Sequence, residues 1–197
     1  TEDVVDAPRI AIETPELSGS LSLLGGRIDD LSLTQYRESL DEGAETVRLL
    51  RPVGETGAYF ALFGWAGIDG IAADAVPGPD TLWSLESGET LTPDSPVTLV
   101  WDNGAGQIFR NTVSVDEDFM FTVTQSVQNT SGGTAALAPY GILARHGEPQ
   151  DTKNFFILHE GLVSMSDGEL TESDYGDMAD FSVVASEGAR AEVTQVT

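Results

Sequence analysis

His146 and His159 are the only imidazoles in the chain, so acid-base chemistry by histidine at neutral pH would have to run through one of them. Each stands close to an acid, in His146-Gly-Glu148 and in His159-Glu160. A nucleophile would need its own motif, and no Gly-x-Ser-x-Gly elbow occurs. Both histidines are expected near hairpin ends as ordinary surface or edge residues, and no catalytic residue is assigned. Two acidic groups offer oxygens to a cation: Asp116, Glu117 and Asp118, and Asp174, Asp177 and Asp180 at spacings of three. Calcium takes about six to eight oxygens in one place, and neither group has the Asp-x-Asp-x-Asp-Gly loop with a distant Glu that would gather them. They are expected as turn and helix-surface acids, with no metal and no cofactor assigned.

Gly25-Gly26 has the composition of a phosphate nest, yet neither a helix start nor a lysine follows it, so a strand-connecting turn is expected. Trp65, Trp83 and Trp101 are the large aromatic side chains. Trp101 falls in a patterned strand and belongs in a core, whereas Trp65 and Trp83 flank a Gly- and Pro-rich loop and are candidates to line a groove.

The elements that must carry these residues read as strands. Ile10 and Ile12 alternate with Ala11 and Glu13, Leu21 and Leu23 with Ser20 and Ser22, and Ile28 then precedes Leu31 and Leu33. A period of two marks half-buried strands. After a charged loop, Arg37 to Thr46, come the short apolar segment Val47 to Leu50 and the buried-strand candidate Ala58 to Trp65. Gly67 to Asp80 is a loop, and Val97 to Asn129 is an antiparallel meander. In the meander Val97, Leu99 and Trp101 share a face, as do Phe109, Val113 and Val115 with Asn111 among them, and then Phe119, Phe121, Val123 and Val127. Asp102-Asn103-Gly104 and Asp116-Glu117-Asp118 supply its turns. A further strand begins within Ala135 to Leu143. Phe155 to Leu158 and Leu162 to Met165 are expected as a hairpin around Glu160-Gly161. Ser173 to Phe181 is the one place for a short helix, with Ser173 as its cap.

Composition supports the same class. The chain has 197 residues, 40% hydrophobic, with 21 glycines and 9 prolines, which favours turns over long helices. We expect residues 1–8 as a polar lead-in and 9–197 as one all-β, mostly antiparallel domain. Acids outnumber bases 33 to 9 for a formal net charge of −24, and Lys153 is the sole lysine. Such a surface repels phosphate backbones and anionic headgroups, so neither nucleic acid nor lipid is an expected partner. The absence of cysteine removes disulfides and thiolate chemistry. The alternating run from Ala191 to Thr197 reads as a strand cut short, so the domain is expected to be truncated at its C-terminal end.

The order of Arg9-Ile-Ala-Ile-Glu-Thr, Leu21-Ser-Leu-Leu-Gly-Gly-Arg-Ile-Asp-Asp-Leu-Ser-Leu, Trp101-Asp-Asn-Gly-Ala-Gly-Gln-Ile-Phe, Val127-Gln-Asn-Thr, Tyr140-Gly-Ile-Leu and Asn154-Phe-Phe-Ile-Leu-His-Glu-Gly resembles the large periplasmic domain of the bacterial membrane protein insertases of the YidC/Oxa/Alb family. The resemblance runs over roughly residues 9 to 180 and lies in the order and spacing of the segments. It implies a β-supersandwich similar to galactose mutarotases, and a multi-pass inner-membrane parent with this domain on the periplasmic side. It further implies an auxiliary or docking task beside the accessory components SecD and SecF, the SecYEG translocon and nascent membrane proteins. The alternative drawn from the same fold is a carbohydrate-binding or mutarotase-like sugar-processing domain, in which His146 or His159 would pair with a cleft acid.

Overall fold

The computed structural model describes residues 7–147, 159–166, 168–175, 184–185 and 193–194. The chain divides into two compact units, Thr1–Arg145 and His146–Thr197. The first contains β1 (Arg9–Glu13), β2 (Leu17–Ser22), β3 (Arg27–Arg37), β4 (Thr46–Leu50) and β5 (Tyr59–Gly67). After a single 3-10 turn at Ala73–Ala75 it continues with β6 (Ser84–Ser87), β7 (Val97–Asp102), β8 (Gln107–Val115), β9 (Phe121–Asn129) and β10 (Leu137–Arg145). One sheet runs β1-β2-β3-β5-β10 with β4 also paired to β3, and the other runs β6-β7-β8-β9. Every named pair of strands is antiparallel. Their apolar faces meet in one core that includes Ile12, Leu21, Ile28, Leu31 and Trp65 from the first sheet and Val97, Leu99, Phe109, Val113 and Val115 from the second. The unit is thus a β-sandwich, and the sheets do not close into a barrel.

The opening strands meander because their turns are chemically specified. Thr14 Oγ1 accepts hydrogen bonds from the N–H groups of Glu16 and Leu17 between β1 and β2. Gly25 and Gly26 sit at φ 74° and 62° between β2 and β3, a left-handed pair that glycine adopts without a Cβ penalty. The Gly25 N–H donates to the Thr81 carbonyl oxygen, so the turn is a strand connection docked on the next segment.

Ile28, Leu31 and Leu33 break the period of two, and a β-bulge restores it. Ser20 pairs with Asp30 and Leu21 with Ile28, leaving Asp29 as the extra residue and returning Leu31 to the core side. Gly19 lies against this bulge, where a Cβ would approach the Asp30 carbonyl oxygen to 2.0 Å. The Asp29 side chain is only 4% exposed and forms an ion pair with Arg9. Arg9 also donates to Ser20 Oγ at 2.8 Å and to the Ser20 carbonyl oxygen at 3.1 Å, tying three strands together.

Two polar side chains cross between the sheets. β5 is flanked by β3 only at Ile28–Ala61, so part of its backbone needs partners elsewhere. Trp65 N–H donates to the Pro77 carbonyl oxygen at 3.1 Å. Asn111, 1% exposed, donates from Nδ2 to the Phe63 carbonyl oxygen at 3.3 Å, and Gln125 donates to that of Gly64 at 2.9 Å.

The second unit contains the hairpin of β11 (Gly161–Ser166) with β12 (Glu169–Asp174), and a short pair of β13 (Val184–Ala185) with β14 (Val193–Thr194). One expectation is corrected here. Ser173 pairs with Leu162 and Asp174 with Gly161, so the start of the expected helix is strand; residues 176–181 lie outside the described residues. Leu162 to Met165 pair with residues 170–173 around a turn that holds Gly168 at φ 85°; Phe155 to Leu158, the expected hairpin partner around Glu160-Gly161, lie outside the described residues.

Arg9→Ala is expected to cost about 2–3 kcal/mol in denaturant unfolding, since it leaves the buried Asp29 carboxylate without its cation. Asn111→Asp at pH 7 is expected to cost about 3 kcal/mol or more by setting a charge against the Phe63 carbonyl oxygen, while Asn111→Leu is expected to stay within about 1.5 kcal/mol.

Candidate functional site

The expected groove between Trp65 and Trp83 does not exist, because both side chains are core. They are 4% and 2% exposed, with ring centroids 6.2 Å apart. Phe109 meets Trp65 edge-on at 5.2 Å and Trp101 at 5.7 Å. These rings fill the space between the sheets, where edge and offset contacts add to area burial. The loop between Trp65 and Trp83 folds back over β5 instead of opening a cleft. Tyr140 of β10 helps to hold it there, since a Cβ on Gly64 would come within 2.5 Å of the Tyr140 hydroxyl and 2.9 Å of the Pro77 carbonyl oxygen. Burial raises the Tyr140 phenol above its ordinary value.

The acidic turns are occupied by backbone. Asp116 Oδ1 accepts from the N–H groups of Asp118 and Met120 at 3.0 and 2.9 Å, an Asx turn of the kind acids make where strands bend. Asp102 Oδ1 likewise accepts from Gly104 N–H at 2.8 Å. Among the described residues, no three His, Cys, Asp or Glu side chains stand close enough to hold a metal ion; Asp177 and Asp180 lie outside the described residues. Phe119, expected on the inner face of β9, precedes that strand and is 45% exposed. Inner positions of β9 are taken by Phe121, Val123 and Gln125, and Val127 is partly exposed.

The histidines separate. His146 is exposed in the bend after β10. His159 Nδ1 stands 2.9 Å from Asp174 Oδ1, with the imidazole largely buried. Since Gly161 pairs with Asp174 and Tyr175 N–H donates to the Glu160 carbonyl oxygen, this contact closes the open end of the β11–β12 hairpin. Sequence spacing did not bring Asp174 to His159; only the strand register does.

A cavity of about 270 Å³ opens at one end of the first unit. Ile71, Ala72 and Ala75 form one wall, Gln107 and Phe109 the second, and Thr134, Ala135 and Leu137 the third. Asn103 fixes its geometry, donating from Nδ2 to the Ala75 carbonyl oxygen at 3.0 Å and to Gln107 Oε1 at 2.8 Å. Gln107 Nε2 in turn donates to Asn129 Oδ1 at 3.1 Å. No titratable side chain lines the cavity. Its wall residues are not individually conspicuous in the sequence; the sole local signal is the uncharged run Ile71-Ala-Ala between aspartates.

The first unit is an all-antiparallel β-sandwich in a chain of net charge −24. The chain belongs to the YidC periplasmic domain family, whose sequence model matches residues 9–194. It is 61% identical over 191 residues to the membrane protein insertase YidC of Dinoroseobacter shibae, covering 97% of this chain and 31% of that protein. It is 60% identical over 195 residues to the YidC of Ruegeria pomeroyi, covering 96% and 32%, and 57% identical over 186 residues to that of Roseobacter denitrificans, covering 94% and 31%. The chain thus spans about a third of the length of these curated relatives. No helix among the described residues is long and apolar enough to cross a membrane.

A phenol whose folded pKa is raised holds stability that is complete below the unfolded value and is lost as pH rises through the folded one. Stability is therefore expected to fall above about pH 10, the ordinary phenol value. Tyr140→Phe should flatten that alkaline limb in unfolding curves measured between neutral and strongly alkaline pH.

Proposed function

We propose that this chain is a non-catalytic docking or auxiliary module on the periplasmic side of the bacterial inner membrane, carried by a multi-pass membrane protein insertase. The parent inserts and folds membrane proteins with or without the Sec translocon, and this module contacts SecD, SecF or SecYEG components, with nascent membrane proteins handled through the parent. The observation that carries the proposal is the match of the periplasmic family over nearly the whole chain. With a net charge of −24, direct binding to anionic lipid is disfavoured.

Affinity purification of the parent protein with and without this domain, from detergent-solubilised membranes, tests the docking role. Recovery of Sec components is expected to drop by about an order of magnitude when the domain is deleted, as loss of one linked contact predicts. Equal recovery would overturn it. The isolated chain is expected not to co-float with vesicles containing phosphatidylglycerol.

A further inference from the structure

Asn103-Gly104 is the only Asn-Gly pair in the chain, and such a pair carries a reaction of its own. Glycine leaves its backbone nitrogen unshielded by a Cβ, so that nitrogen can attack the Cγ of the asparagine before it. The new bond joins Gly104 N to Asn103 Cγ and closes a cyclic imide. The Cγ–Nδ2 bond breaks, and ammonia leaves with the proton that Gly104 N gives up. Water then opens the imide to aspartate or isoaspartate.

The fold opposes the first step. Asn103 Oδ1 accepts from the N–H groups of Ala105 at 2.8 Å and Gln107 at 3.1 Å. Its Nδ2 donates to the Ala75 carbonyl oxygen at 3.0 Å and to Gln107 Oε1 at 2.8 Å, so all four hydrogen-bonding positions of the amide are filled. Gly104 N–H, the hydrogen that ring closure must remove, is held by Asp102 Oδ1 at 2.8 Å. Closing the ring takes that hydrogen from Asp102 and takes Nδ2 from both of its acceptors. Three hydrogen bonds of the folded corner are lost, so the reaction is tied to local opening.

The same partners fix which way the amide points. Backbone N–H groups face Oδ1 and a backbone carbonyl faces Nδ2, which leaves one orientation. The polarity continues through two more amides. Gln107 Nε2 donates to Asn129 Oδ1 at 3.1 Å, Asn129 Oδ1 also accepts from Ser131 N–H at 3.1 Å, and Asn129 Nδ2 donates to the Gly133 carbonyl oxygen at 2.7 Å. A directional chain of three amides therefore runs from the 3-10 turn at Ala73–Ala75 to the turn after β9. Aspartate at position 103 would set an oxygen against the Ala75 carbonyl oxygen and Gln107 Oε1, and neither can donate to it. Gln107 cannot turn its amide over to help, because Oε1 would then meet Asn129 Oδ1. An acceptor facing acceptors costs more than a missing bond.

We infer that Asn103 is a site of spontaneous deamidation that the folded corner holds in check, and that conversion to aspartate unlatches the 3-10 turn from the amide chain. The modification reads out opening of the corner and, once made, favours further opening.

The test incubates the whole 197-residue chain at mildly alkaline pH, folded and in guanidinium. The amide-to-acid mass change is followed in the chymotryptic fragment Asp102–Phe109, released by cleavage after Trp101 and Phe109. Conversion is expected to be about tenfold or more slower in the folded chain, the protection given by a corner open a tenth of the time or less. Equal rates in the two states, or no conversion in either, would overturn the inference without any variant being needed. Gln107→Leu, which removes one acceptor of Nδ2, is expected to speed conversion several-fold in the folded chain and to leave the denatured rate unchanged. An unaltered folded rate would remove the amide chain from the account. In Asn103→Asp, the Ala75 N–H, which donates to the Ala72 carbonyl oxygen at 3.0 Å, is expected to exchange its hydrogen several-fold faster. Undiminished protection there would overturn the unlatching.

Discussion

The contact between Trp65 of β5 and Phe109 of β8, with Trp83 and Trp101 beside them, is the constraint on which the first unit depends. A sheet with one apolar face is unstable until that face is covered, and here the two sheets cover each other. Aromatic side chains dominate that contact because each removes about 150–250 Å² from water. Fixing β5 against β8 also fixes what is attached to them. The loop after β5 is drawn over the strand, Trp83 is carried beneath the Gly25-Gly26 turn, and Phe109 is buried behind the end cavity.

Polar chemistry inside this sandwich serves register. Asn111 and Gln125 hold successive carbonyl groups of β5, and Arg9 neutralises the carboxylate that the bulge turns inward. Each would be costly alone in a low-dielectric interior, and each has a partner that fits one alignment of the strands. A one-residue slip would put every core side chain of a strand on the wrong face. The buried ion pair and amides therefore mark the correct pairing, while the apolar core supplies most of the stabilisation.

Much of the strand pattern was legible, and particular residues show why. Val97 and Leu99, and Phe109, Val113 and Val115 with the polar Asn111 among them, alternate inward, and the meander follows from them directly. Ile28, Asp29, Asp30, Leu31 break the alternation, and that break is the sequence signature of the bulge. The two tryptophans next to the Gly-Pro loop were misleading, since a loop rich in glycine and proline can fold back onto its own strand as easily as open a groove. Ser173 has the composition of a helix cap, but cross-strand pairing with Leu162 outweighs a local preference worth about 1 kcal/mol. The cavity was not legible because its walls come from three segments that are distant in sequence and individually unremarkable.

By itself the sequence determined the all-β class, the acidic surface, the turn at Gly25-Gly26 and the family, because periodicity, net charge and ordered short motifs are properties of the chain in one dimension. Tertiary structure alone decided that Asp29 meets Arg9, that His159 meets Asp174, that Trp65 and Trp83 are buried, and that Ile71, Gln107, Phe109 and Leu137 surround one space. Those contacts depend on which strands pair and in what register, and pairing is settled by burying two whole faces at once, a cooperative choice that no local window contains.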